Sequence, residues 1–248
     1  MRAERRLRIW LHEGHDGEPG VEAWAPDWLG FATWAESHAE LRAKLSAKLG
    51  EYRLWRERHD VALARVDLEP EIVATEAGGE LLFAPDREPA TRAEVALAIR
   101  LLEASRADLL GVLDSSPPEL LDWDPPYRRF APWATWRTIR ATLAHIADAE
   151  THYYLRNLGC EPEGAQVDTS GDWRAELERA RAGANRALAS IEASADRARV
   201  RTLELPFGRE DWSVRKSLRR LVAHELQHTK SIARIARAFA ASARNSGP

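Results

Sequence analysis

Residues 212–228 read WSVRKSLRRLVAHELQH, and the spacing at the end of this run governs how the rest of the chain is read. His224 and His228 stand four positions apart, so on a helix their rings share one face and can meet one cation. They continue the apolar stripe of Leu221, Ile232, Ile235 and Phe239, which turns them toward a core rather than toward water. HELQH also satisfies HExxH, the zinc-protease pattern, with Glu225 as the base. The common protease families supply a third ligand downstream as glutamate or histidine. After His228 the chain reads TKSIARIARAFAASARNSGP, which holds neither. The protease reading is poor, and a third ligand has to come from upstream.

His145 is the best upstream candidate. It lies mid-helix beside Leu143 and Ile146, where a bundle can point it inward. Three imidazoles buried together without a metal are poorly satisfied, and a cation resolves that cost. Three histidines with an open coordination position describe a catalytic site more than a structural one. Zinc and nickel both suit imidazole ligands. A metal of this kind lowers the pKa of a bound water or thiol and so creates a nucleophile, leaving no residue of the chain with that task. Around it, Glu225 and Asp148 are the candidate proton acceptors, the alternatives being a Glu225 that simply pairs with arginines and an Asp148 that is solvated or packs a loop. His152 is a candidate to orient a ligand or touch substrate, the alternative being a solvated or loop-packing residue. Arg220, one turn before His224, is a candidate to hold an anionic group of a thiol cofactor, the alternative being part of a solvated basic face.

The helical half extends outward from these motifs. Thr91 and Glu94 have capping-box spacing ahead of Val95, Ile99, Leu102, Leu109 and Leu113. A proline- and tryptophan-rich loop, about 114–134, leads into a second helix over about 138–156. A third helix is predicted over 172–194 and a fourth from Ser213 to about Ala241. Four such helices make a bundle, and the long first loop argues against the simplest short-loop topology. WRTIRATLAHIADAE from Trp136 echoes the run from Trp212: each has a hydroxyl residue at the helix start and an arginine two positions later.

LAHIADAE, WSVRKSLRRLVAHELQH and the bundle spacing resemble the DinB-like superfamily, which includes the YfiT-like proteins and thiol-dependent transferases. The resemblance covers about residues 91–241. It implies a four-helix bundle of up-down-down-up order, binding a divalent metal through one histidine of the second helix and an HxxxH pair of the fourth. Carried over, those ligands are His145, His224 and His228. The resemblance also implies pairing of bundles into a homodimer and favours a low-molecular-weight thiol as a second cofactor.

The first 88 residues read as a small α/β module, and the polar segment Pro85–Pro89 marks a boundary, giving units of 1–88 and 89–248. Leu7, Ile9 and Leu11 alternate with polar neighbours as in a half-buried strand. Gly14, Gly17, Pro19 and Gly20 break the chain, and Val21, Ala23 and Ala25 resume the alternation. Ser37 and Glu40 open a helix carrying Leu41, Leu45, Leu49 and Tyr52. Residues 72–75 and 81–83 flank Gly78-Gly79 as a short hairpin. Over residues 5–60, WLGFATWAESHAELRAKL after two strands resembles HicB-like antitoxin domains: Asp27, Leu29 and Gly30 fit that family's turn, while Trp28 interrupts it and its proline is missing. Without a helix-turn-helix, this resemblance implies an accessory domain that covers the bundle's cleft or makes a dimer contact. Trp24, Trp28 and Trp34 are read as packing residues.

The fold class is therefore α+β, a small α/β domain followed by an all-α four-helix bundle of DinB-like type. At 248 residues with 44% hydrophobic and 30% charged, the chain is not a disordered one. No apolar run approaches the roughly 18 residues of a membrane span. MRAERRLRIW lacks a signal peptide's apolar stretch, so the expected address is cytoplasmic. A net charge of −3 implies no nucleic-acid partner. The single cysteine, Cys160, excludes an internal disulfide and a cysteine-clustered zinc site. Basic residues outnumber acids eight to one after Val214, which reads as a solvated face. Three functions stand: metal-dependent transfer of a small thiol to an electrophilic small molecule, metal-dependent hydrolysis, or a non-catalytic protein whose metal staples the bundle.

Overall fold

The computed structural model describes residues 6–14, 19–63, 67–126, 135–160, 167–206 and 208–245. Gly17 and residues 127–134 of the proline- and tryptophan-rich loop lie outside them. Strand β1 (Arg6–Glu13) pairs antiparallel with β2 (Val21–Trp24), which pairs antiparallel with β3 (Ala32–Ala35). Helix α1 (His38–Arg58) starts where Ser37 Oγ accepts from the Glu40 amide at 3.2 Å. Leu41, Leu45 and Leu49 of α1 pack against Leu7, Ile9 and Leu11 in one buried cluster. Burying that apolar face contributes roughly 1.5–3 kcal/mol for each large side chain.

Two features of this half depart from the sequence reading. The strand Asp67–Ala77, β4, is not one arm of a hairpin: α1 carries the chain back across the sheet, and β4 lies parallel to β1, in the order β3-β2-β1-β4. Residues 81–83 form no strand. Nor is β1 half-buried, since Trp10 and His12 on its second face are at most 5% exposed. Phe83 and Ala223 cover that face, giving the sheet packing on both sides.

The four long helical segments are the expected ones. α2 (Arg92–Asp114) begins with both bonds of the Thr91–Glu94 capping box. α3 (Ile139–Asp148) continues through a π-helical stretch, Ala149–Tyr154, into the short α4 (Leu155–Asn157). The second helix is thus one element with a wide turn inside it. α5 (Trp173–Ala193) is capped by Asp172. A hairpin of β5 (Val200–Leu205) and β6 (Gly208–Ser213), which the helical pattern of the sequence does not announce, leads into α6 (Val214–Asn245). The echo between Trp136 and Trp212 has a shared physical role: Thr138 Oγ1 accepts from the Ala141 amide at 3.2 Å and Ser213 Oγ from the Lys216 amide at 3.1 Å, each capping its helix.

α2 and α3 each pack on both α5 and α6. α2 and α3, consecutive in sequence, therefore sit across the bundle from each other, which accounts for the length of the connection between them. Among the described residues no helix is long and apolar enough to cross a membrane.

The core does not stop at residue 88. Leu7, Ile9 and Leu49 belong to the same buried cluster as Val95, Leu101, Leu218 and Val222. Gly30, at φ +91°, lets the β2–β3 turn approach α6 so closely that a Cβ there would lie 2.5 Å from Val222 Cγ1. The basic start of α6 is not a solvated face. Arg219 donates to Asp86 at 2.7 Å, Arg215 to Glu88 and Glu94 at 3.1 Å each, and Arg220 to Glu80 at 2.6 Å. Acids spread over residues 80–94 thus clamp three cations within two turns of α6, partners that local spacing alone could not supply.

Candidate metal centre

The caps on Thr138 and Ser213 set the phase of α3 and α6, and that phase brings three histidines together. One ring nitrogen from each of His145, His224 and His228 lies within 4.8 Å of the other two. Ring centroids are 4.7 Å apart for His145–His224, 4.9 Å for His145–His228 and 4.4 Å for His224–His228. The Nε2 atoms of His145 and His224 approach to 2.8 Å, a contact that one shared proton or a cation must mediate. Trp136 stacks on His145 at 3.7 Å with planes 7° apart, and Tyr154 meets His224 edge-on at 5.3 Å. Neither aromatic was singled out for the site from sequence; Trp136, two residues before the Thr138 cap, is the one a local signal could have flagged.

Burial sets the charge state. It pulls His145 down to about 4, and His228, with the neighbouring His145 adding, to about 3. His224 is held well below the ordinary imidazole range by burial, by the other two rings and by Arg220. All three are neutral at pH 7 and present lone pairs. Three convergent neutral imidazoles fit a divalent cation with metal–nitrogen distances of about 2.0–2.1 Å.

A pH consequence follows from the same shifts. The folded values lie below the unfolded imidazole value of about 6.5, so the unfolded chain takes up protons first on acidification. Stability of the metal-free protein is full above that value and is lost as pH falls toward the folded values of about 3–4. Urea unfolding of metal-free protein should show the midpoint falling from about pH 7 to pH 5, and falling less in His145→Gln; parallel profiles for the two proteins would mean the ring is not desolvated.

The other nominated residues take different places. Glu225 is 1% exposed and faces two cations rather than the three rings. Its Oε1 accepts from Arg106 Nε at 2.8 Å, and its Oε2 from Arg181 Nη2. Burial pushes its carboxyl up, yet the two guanidinium groups outweigh that and hold it below the usual range. A base role is therefore replaced by a structural one: proton uptake would break both pairs. Glu150, in the π-helical stretch, closes the ring by accepting from Arg106 at 2.9 Å and Arg181 at 2.6 Å. This four-membered ring joins α2, α5, α6 and the π-helical stretch, and no local spacing in the sequence announces it.

Asp148 is half exposed and pairs with His152 Nδ1 at 3.2 Å, so each engages the other rather than the three rings. Arg220 is committed to Glu80 and lies against the rings of Trp24 and Tyr154. That carboxylate takes the place expected for an anionic cofactor group. Trp24 and Trp28 are buried packing residues. Cys160 is half-buried, and burial raises its thiol, which suits a plain cysteine rather than a nucleophile.

A family model described as the DinB superfamily matches residues 101–232. Among solved structures the chain is similar to YfiT from Bacillus subtilis, described as "a probable metal-dependent hydrolase with an unusual four-helix bundle topology", at 21% identity and a TM-score of 0.48, over 65% of this chain and 95% of that one. No curated protein matches. The family match does not reach the amino-terminal sheet.

Proposed function

This chain belongs to the DinB superfamily, and from that premise we propose that it is a divalent-metal-dependent enzyme acting on a small electrophilic substrate. The observation that carries the reading is the convergence of His145, His224 and His228 within 4.8 Å, each neutral through burial. The three imidazoles would hold zinc or nickel. Such an ion supplies the Lewis acidity that ionises a coordinated thiol or water at neutral pH. Trp136, flat on His145, fixes that ring's orientation and keeps water from its face. Tyr154 does the same along one edge of His224.

The preferred reaction is transfer of a low-molecular-weight thiol. Both nominated proton acceptors are engaged elsewhere, Glu225 by two arginines and Asp148 by His152. A thiol held by the three imidazoles' metal would be acidified enough to give its proton to solvent, so no protein base would be needed. The second reading, hydrolysis, draws support from Arg220: its pairing with Glu80 removes the anchor foreseen for an anionic thiol. Assaying metal-loaded protein on an electrophilic substrate with and without a panel of small thiols separates the two. Turnover at least tenfold faster with one thiol is expected. Equal turnover with every thiol and with none means hydrolysis, and metal-loaded protein that turns nothing over leaves the metal as a staple.

A further inference from the structure

We propose that Glu80, supplied by the amino-terminal module, is a positioning residue for the metal centre, joining the two helices that carry its ligands and cancelling the positive charge beside them. The inference rests on the metal reading above.

β4 ends at Ala77, the φ of +143° at Gly78 turns the chain out of the sheet, and Glu80 drops into the bundle with its side chain 3% exposed. There one carboxylate has three partners. Its Oε1 accepts from Arg220 Nη2 at 2.6 Å and from the Tyr153 hydroxyl at 3.5 Å, while its Oε2 lies 3.6 Å from Lys216 Nζ. The Glu80 main-chain oxygen accepts from Lys216 as well, at 3.2 Å.

Lys216, Arg220 and His224 follow one another at steps of four on α6, so they line one face. Tyr153 belongs to the π-helical continuation of α3 and precedes Tyr154, whose ring meets His224. Glu80 thus touches both ligand-bearing helices, one turn from a ligand on α6. Two cations are buried on that face, and a divalent metal at His224 adds more charge of the same sign. Without a carboxylate between them, the repulsion opposes metal uptake. Partners outside the ligand shell commonly change metal affinity by 10–100-fold.

The test is zinc and nickel affinity of the full chain, measured by competition with a chromophoric chelator. Glu80→Gln should bind about tenfold more weakly or worse, whereas Glu80→Asp, which keeps the charge, should stay within a few-fold of wild type. In Glu80→Gln/Arg220→Gln the uncompensated guanidinium is gone too, so affinity should recover toward wild type; a purely structural role for Glu80 predicts a further loss instead. Wild-type affinity in Glu80→Gln, or a double variant weaker than the single one, overturns the proposal and leaves the metal site standing. Should Glu80→Gln fail to fold, the double variant decides, and a loss above tenfold there overturns it. A wild-type chain that binds neither metal overturns both this proposal and the metal reading.

Discussion

Alanine at any one of His145, His224 or His228 is expected to take bound zinc or nickel from stoichiometric to trace and to abolish turnover with it. Three nitrogens within 4.8 Å would fill three positions of a four-coordinate ion and leave one open. Removing one leaves two imidazoles and a cavity. The two survivors do not have a replacement at hand among the described residues, since no other histidine, cysteine or acid joins the group. Asp148 and Glu225 are close in sequence but held by His152 and by two arginines. Metal content of the purified variants, with circular dichroism to establish folding, reads the result. Normal metal in all three variants would remove the site and the function drawn from it.

The second large effect concerns stability. Arg106→Met should lower the unfolding free energy by about 3–5 kcal/mol, the cost of leaving one side of a buried ion pair uncompensated. In a chain of this length that corresponds to a drop in melting temperature on the order of 10 °C. Arg106 bridges Glu225 and Glu150, both 1% exposed, and also donates to the Leu177 carbonyl at 2.9 Å. Its loss leaves Arg181 alone between two carboxylates. The pair Arg106→Met/Glu225→Leu removes one charge of each sign and should cost less than Arg106→Met alone. Chemical denaturation of the metal-free forms measures both; a single variant within 1 kcal/mol of wild type would mean that water reaches the ring and screens it.

The ring also explains why the HExxH spacing points to a base while the Glu225 carboxylate pairs with two arginines. HExxH places a glutamate beside a metal ligand, and sequence alone cannot say which way its carboxylate turns. Residues one apart on a helix face about 100° apart, so His224 and Glu225 look toward different neighbours. Those neighbours decide their roles: rings on one side, guanidinium groups on the other.

What was legible in the sequence is what short-range physics controls. Thr91 with Glu94, Thr138, Asp172 and Ser213 mark helix starts because a side-chain oxygen reaches an amide two or three residues on. His224 and His228 share a face because an α-helix turns every 3.6 residues. The third histidine of the cluster was legible too, through the inward phase of His145 and the family resemblance.

Tertiary structure alone decided the rest. β4 runs parallel to β1 because α1 supplies a crossover, a matter of connection rather than composition. The π-helical turn, the charge ring and the seat of Arg220 depend on partners far along the chain: Arg106 and Glu225 are 119 residues apart, Arg220 and Glu80 140. Periodicity and capping act across a few residues and are written locally. An ion pair is chosen by whichever opposite charge the folded backbone delivers, and buried charges accept no substitute for it.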